Sequence, residues 1–366
     1  MANAAVASVI GGRPLGAQAS ARTSMGVVQY SFSASPYSRS AYEFLEYCHS
    51  LGAGGIQITL DSEEPAYLEN LKRRAAELDM YLEAIVNLPQ RDDTADFERQ
   101  VVSARQAGAV CLRSACLNGR RYETFTSLDD WKSFVVLSHQ RIALAVPILE
   151  KYRLPLGLEN HKDWTADEMA DLLEHHSSEF LGACLDTGNN ISLLDAPMEV
   201  VEKLAPFAVT THFKNMAVKD APEGFLLAEV PLNQGVLDLI QVVNTIHTAR
   251  PHIRFNLEMI TRDPLKIPCL TDQYWVTFPD RDGLYLARTL RFVHDHPPSE
   301  PLFQVSGMDQ GARHRQEEEN VKQCLALVVS EYPLKIWKRP DRCVKILWPW
   351  TFPPKYWITS SRRATP

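Results

Sequence analysis

Eight short apolar runs alternate with amphipathic stretches from Met25 to His296, and this alternation constrains the fold more than any other feature. The runs are MGVVQYSF (25–32), GIQITL (55–60), YLEAIVNL (81–88), AVCLRSACL (109–117), LPLGLENH (154–161), LGACLDTGN (181–189), VTTHFKN (209–215) and IRFNLEMI (253–260). Each is short, mostly apolar and rich in β-branched or aromatic residues, as strands buried on both faces are. The stretches between them, PAYLENLKRRAAELDM and ADEMADLLEHH among others, repeat apolar residues at three- and four-residue spacing, the period of a helix with one buried face. Thr165, Asp195 and Ser127 stand where helix caps are expected. Eight strand–helix pairs over residues 25–297 predict a single α/β domain of (β/α)8 TIM-barrel architecture. The alternative, an open doubly wound sheet, would leave two edges and would not bring the ends of strands five to eight around one centre.

Four segments depart from the repeat. Residues 1–24 read as a disordered leader or an export-signal remnant: AAVASVIGG is weakly apolar and Ala17-Gln18-Ala19 matches a small-x-small cleavage pattern, but no basic segment precedes them. The expectation is therefore a cytoplasmic protein, with a periplasmic or exported one as the alternative if residues 1–19 are a truncated signal peptide. Residues 216–234 read as a long βα loop over the catalytic face. Residues 298–331 read as a linker and C-terminal helix. The tail, 332–366, holds four of the seven tryptophans (Trp337, Trp348, Trp350, Trp357) among prolines and basic residues. It reads as a subunit-contact arm of a homo-oligomer, a sticky disordered extension, or sequence foreign to the domain.

The formal charge of −7 argues against a general nucleic-acid binder, while leaving room for a small anionic substrate held by local arginines. No apolar run is long enough to span a membrane. The seven cysteines are scattered and never in CxxC spacing, so buried free thiols are expected. Neither GxGxxG nor GxxxxGK[ST] occurs, and no nucleotide cofactor is predicted.

Four ionisable residues fall at the C-terminal ends of runs five to eight: Glu159, Asp186, His212 and Glu258. Side chains alternate along a strand, so Gly157, Glu159 and His161 share one face, as do Cys184 and Asp186, Thr210, His212 and Lys214, and Asn256 and Glu258. Leu158, Leu185, Phe213 and Leu257 then point to the helices. The four polar groups are thus expected at one height in the barrel mouth, where (β/α)8 enzymes build their sites. Clustered carboxylates there repel one another unless a cation is present, with structural ion pairing as the alternative. Three hard oxygen donors and an imidazole favour one divalent metal ion, Mn²⁺ or Mg²⁺, with Co²⁺, Fe²⁺ or Zn²⁺ as alternatives.

LENH, LDTGN, THFKN and NLEMI, in that order, resemble the xylose-isomerase-like superfamily of sugar (phosphate) isomerases and epimerases over roughly residues 25–297. The resemblance implies a barrel with one divalent metal on Glu159, Asp186, His212 and Glu258. It also implies that Glu159 and Glu258 act as the acid/base pair in a metal-dependent sugar or sugar-phosphate isomerase/epimerase. Such an enzyme transfers a proton through a metal-stabilised enediolate. Asn189 and the segment 214–219 stand where the ketose 3-epimerase branch carries a substrate-contacting His and Arg, which counts against a free ketose. Asn87, Arg113 and Asn189 stand near the places where apurinic endonucleases of the superfamily carry extra zinc-binding histidines, so one metal is expected and no DNA. A lyase or dehydratase on a keto-sugar or inosose is the second reading, and a non-catalytic carbohydrate-binding protein the third.

Substrate contacts are sought among His161, Asn189, Lys214, Arg113 and Arg262, whose types suit hydroxyl, phosphate or carboxylate recognition. Arg120 and Arg121 follow strand four and are candidates of the same kind, and Tyr30, Phe32 and Trp164 could stack on a sugar face. His175 and His176 lie on a helix away from the mouth, where no function is expected.

Overall fold

A computed structural model describes residues 22–90 and 93–330. The elements of the first half are β1 (Gly26–Val28), α1 (Ala41–Ser50), β2 (Gly55–Ile58), α2 (Pro65–Glu77), β3 (Tyr81–Ile85), α3 (Ala95–Gln106), β4 (Cys111–Ser114), α4 (Arg121–Thr124) and α5 (Leu128–Tyr152). Then come β5 (Leu156–Glu159), α6 (Ala166–His176), β6 (Leu181–Asp186), α7 (Pro197–Leu204), β7 (Ala208–Phe213), β8 (Asn215–Ala221), β9 (Gly224–Val230), α8 (Leu239–Ala249) and β10 (Asn256–Leu257). The last elements are β11 (Leu265–Ile267), α9 (Asp272–Trp275), α10 (Gly283–Asp295) and α11 (Gln310–Ser330).

Eight parallel strands close in the order β1-β10-β7-β6-β5-β4-β3-β2. Closure is made by β1 against β10, with Gly26 beside Asn256, and it removes the edges of an open sheet. Leu158, Leu185, Phe213 and Leu257 are fully buried under the helices, as side-chain alternation requires. The barrel floor is filled by Tyr81, whose hydroxyl donates to the Phe255 carbonyl at 3.0 Å. This ring explains the glycine that opens β2: a Cβ on Gly55 would stand 2.5 Å from it.

The strands are shorter than the apolar runs; after β1, for example, Gln29–Phe32 forms a 3₁₀ turn. Two cap expectations hold. Thr165 and Glu168 form a capping box at the start of α6, and the Ser127 side chain accepts from the Asp130 amide. Asp195 does not cap α7, which begins behind Ala196 without a side-chain cap. Its carboxylate is drawn instead to Arg281, the Ala166 amide and Asn190.

Residues 216–234 are not a plain loop. Most of the segment forms the hairpin β8–β9, which β11 extends to a three-stranded antiparallel sheet. Gly224, at φ +147°, closes its turn after Pro222-Glu223. After the barrel, α11 lies against the β1 segment: the buried Glu317 carboxylate accepts from the Ala34 amide at 2.9 Å and from Ser33 Oγ at 2.9 Å. Asn320 donates to Thr261 beyond β10 at 2.9 Å.

The six cysteines among the described residues are free and buried. Among those residues no helix is long and apolar enough to cross a membrane. Most of the leader (1–21) and the whole of the tail (332–366), Cys343 included, lie outside the described residues.

Candidate functional site

Glu159 ends β5, Asp186 ends β6, His212 is the penultimate residue of β7, and Glu258 follows β10. All four are buried, and one ligand atom from each lies within 4.8 Å of the others. Register and height differ in a tilted barrel. Asp186 pairs in register with His212, whereas Glu159 pairs with Cys184 and His212 with Asn256, so along the register the cluster steps up two residues at two of its three strand junctions. With a shear of about 8 residues over eight strands, steps of this size keep residues of neighbouring strands near one level in the barrel mouth. The DTGN turn fixes Asp186: its Oδ1 accepts from the Gly188 and Asn189 amides at 2.9 and 2.7 Å, an Asx-type turn.

A polar layer below orients His212. Its Nε2 lies 2.6 Å from Gln57 Oε1. Gln57 Nε2 donates to Glu83 Oε2 at 3.0 Å, and Thr210 and Asn256 donate to the same oxygen at 2.6 and 3.0 Å. Because Gln57 presents its carbonyl oxygen, His212 Nε2 must be the donor, which aims Nδ1 into the cluster. Nδ1 makes no hydrogen bond, yet it stands 3.2 Å from Glu159 Oε2, 3.2 Å from Glu258 Oε1 and 3.9 Å from Asp186 Oδ2.

A buried lone pair facing three carboxylates is repulsive unless positive charge occupies the space between them. The titration behaviour expresses the same demand. Burial opposes charging His212, but Cys184, Glu159 and Glu258 draw its pKa well above the ordinary imidazole value. Burial would raise Glu159, yet Arg113 and His212 hold it well below the usual carboxylate range. For Glu258 burial is likewise outweighed, by His212 and Lys214. Asp186 is pushed up to about 6 by burial, with Lys214 opposing and Glu258 and Glu159 adding to the rise. A divalent cation would supply the missing charge and displace the His212 proton. Three carboxylates with one imidazole therefore fit such an ion.

The model of the xylose isomerase-like TIM barrel family matches residues 45–274. The chain belongs to this family. A 3-oxo-isoapionate decarboxylase of Pectobacterium atrosepticum is 29% identical over 217 residues, covering 57% of this chain and 73% of that protein. Among solved structures, a xylose isomerase-like TIM barrel protein from Mycobacterium smegmatis in complex with magnesium aligns with a TM-score of 0.52 at 17% identity, over 73% of this chain and 97% of its own. A D-psicose 3-epimerase aligns with a TM-score of 0.51 at 14% identity, over 74% and 96%. At these identities the structural likeness concerns the fold.

On this xylose isomerase-like barrel the other candidate residues take definite places. Arg113 lies within β4 and is buried, donating from Nε to Glu159 Oε2 at 2.7 Å, with its Nη2 on the same oxygen. Asn189 Nδ2 donates to Glu159 Oε1 at 2.9 Å, so Asn189 both shapes its turn and touches the cluster. Lys214 is buried with Nζ 2.8 Å from Asp186 Oδ2 and against Glu258.

A cavity of about 680 Å³ opens beside the cluster, lined by Tyr30, Arg113, Arg141, His161, Lys162, Glu258 and Arg262 among others. His161 Nδ1 lies 3.0 Å from the Leu117 carbonyl. That contact makes Nδ1 the donor and leaves Nε2 as an acceptor. Burial pushes the His161 pKa down to about 3, so the ring is neutral. Arg262 donates to Glu229 at 2.7 Å at the rim.

Arg121 is not a substrate residue. Its guanidinium is buried over Trp131, 3.6 Å from the ring centroid, and bonded to Glu168 and Thr277. Arg120 pairs with exposed Glu123. Phe32 and Trp164 are core residues, and only Tyr30 of the three aromatics lines the cavity.

Sequence reasoning passes over Gln57, Glu83, Arg141, Lys162 and Glu229. The first two carried a readable signal, a polar side chain inside an apolar run, which in a strand buried on both faces must serve a buried network. Lys162, buried at φ +100°, carried none. Its burial, with Lys214 and Arg262 nearby, lowers its pKa to about 8.

Proposed function

We propose that the protein is a metal-dependent lyase that decarboxylates a 3-oxo sugar acid by way of an enediolate. The observation that carries this reading is the charge of the cavity beside the four-residue cluster. Arg113, Arg141, Lys162 and Arg262 line it against one carboxylate, Glu258. Arg113 pairs with Glu159 and Arg262 with Glu229 behind the wall, so the excess positive charge rests on Arg141 and Lys162. A neutral sugar has no use for such a wall, whereas a carboxylate does. The resemblance to a decarboxylase of a 3-oxo sugar acid supports the same substrate class.

Glu159, Asp186, His212 and Glu258 would hold the cation, which when bound stabilises negative charge developing on the substrate's carbonyl and neighbouring hydroxyl oxygens. The chain's own residues supply the rest. Arg262 and Arg141 attract the carboxylate, and His161 Nε2 accepts from a sugar hydroxyl. When the carbon–carboxylate bond breaks, its electron pair moves toward the carbonyl oxygen and carbon dioxide leaves. The Lys162 ammonium then donates its proton to the carbon left behind, and water restores it. A lysine with its pKa near 8 is still protonated at neutral pH yet gives its proton up readily.

The second reading is the isomerase or epimerase, with Glu159 and Glu258 as acid and base. It is favoured by their placement, each 3.2 Å from His212 Nδ1 and contributed by different parts of the barrel. Against it, Arg113 and His212 hold Glu159 ionised, and His212 and Lys214 hold Glu258 ionised, which makes each a weak base.

A panel of keto-sugars, keto-sugar phosphates and 3-oxo sugar acids incubated with enzyme and Mn²⁺ in D₂O separates the readings. The proposal predicts carbon dioxide from the acids, with one deuteron at the carbon that bore the carboxylate. Turnover that conserves mass, with exchange at a carbon-bound hydrogen, would establish the isomerase or epimerase instead.

A further inference from the structure

Away from the barrel mouth, the outer helical layer gathers three imidazoles. His139 lies midway along α5, and His175 and His176 are the last two residues of α6. His139 Nδ1 and His176 Nε2 are 3.1 Å apart, and one ring nitrogen from each of the three lies within 4.8 Å of the others. The His175 ring stands at 84° to both partners, with centroids 5.0 Å away in each case.

A hydrogen bond accounts for the His139–His176 pair but not for the third ring at the same point. Four nitrogens around a tetrahedral zinc ion lie about 3.3 Å apart, as zinc–nitrogen distances of about 2.0–2.1 Å require. The observed pair is already near that spacing. The last carbonyls of α6 also point toward this end of the helix, and the negative end of a helix dipole favours a cation there. His139 and His176 are partly buried while His175 is exposed, so a fourth position would open to water.

We propose that His139, His175 and His176 form a second metal site, selective for a borderline transition ion of the Zn²⁺ class, that pins α5 to α6. An all-imidazole donor set differs in kind from the oxygen-rich cluster at the mouth, and the two sites should sort ions accordingly.

The test is equilibrium dialysis of the tag-free full chain against Zn²⁺ at pH 7.5, with bound metal counted by elemental analysis, for wild type, His175→Asn and His139→Gln. Each variant should bind one equivalent less than wild type, with turnover in Mn²⁺ unchanged. In Co²⁺-loaded protein the visible band of a nitrogen-rich site should be lost in both. Because His175 is exposed, its replacement leaves the fold intact and decides the matter even if His139→Gln fails to fold. Zinc content and spectrum in His175→Asn equal to those of wild type would overturn the site and leave a hydrogen-bonded pair with a ring beside it.

Discussion

His212 shows how much a single contact can decide. Gln57 fixes which nitrogen carries the proton, and so which one faces Glu159, Asp186 and Glu258. Removing the amide in Gln57→Leu should weaken divalent-metal affinity by roughly 10–100-fold, the usual effect of losing a ligand's supporting partner. Mn²⁺ titration measures it, and unchanged affinity would mean that the carboxylates alone orient the ring. Lys162 makes a prediction about pH. If its ammonium is the proton donor, activity holds while the group is protonated and falls as pH rises through about 8. Lys162→Met should lower kcat and flatten that limb; a variant with the same alkaline fall would assign the ionisation elsewhere. The four clustered residues were legible from the sequence because strand ends and side-chain alternation alone determine where they point. Lys162 was not, because its burial and left-handed backbone arise only when the loop after β5 folds over the cavity. Arg113 was legible as a residue near the mouth but not as the partner of Glu159. That pairing depends on the β4–β5 register, in which Arg113 lies beside Gly157.

Among elements, β8–β9 resisted the sequence. Met216, Ala217 and Val218 are all buried while Lys219 and Asp220 are exposed, so the first strand lacks the alternation that marks a half-buried hairpin. The Pro-Glu-Gly turn was its only local signal. The barrel strands gave the opposite case, with continuous apolar runs that admitted few other readings, although the two-residue register steps between the ligands required the closed structure. The last helix among the described residues, α11, makes one contribution that a single substitution isolates. Glu317 satisfies the Ala34 amide and Ser33 hydroxyl beside β1, so Glu317→Ala leaves a buried donor unpaired and should cost about 1–3 kcal/mol. Thermal or urea unfolding reads this out, and stability equal to wild type would show that the apolar face of α11 alone holds it in place.

Across the whole molecule, charge links fold to function. The three carboxylates of the cluster exceed Arg113 and Lys214 by one negative charge, and bound divalent metal would turn that deficit into a welcome for an anion. A chain with net charge −7 can therefore attract an acidic substrate locally, because the cavity and not the overall charge sets the field there. The central claim is that Glu159, Asp186, His212 and Glu258 hold one divalent ion. Mn²⁺ binding followed by electron paramagnetic resonance, on wild type beside Asp186→Asn, tests it most directly. Wild type should bind one Mn²⁺ per chain at the mouth, and the folded variant should lose that binding together with turnover. Equal Mn²⁺ binding in the two proteins would contradict the account.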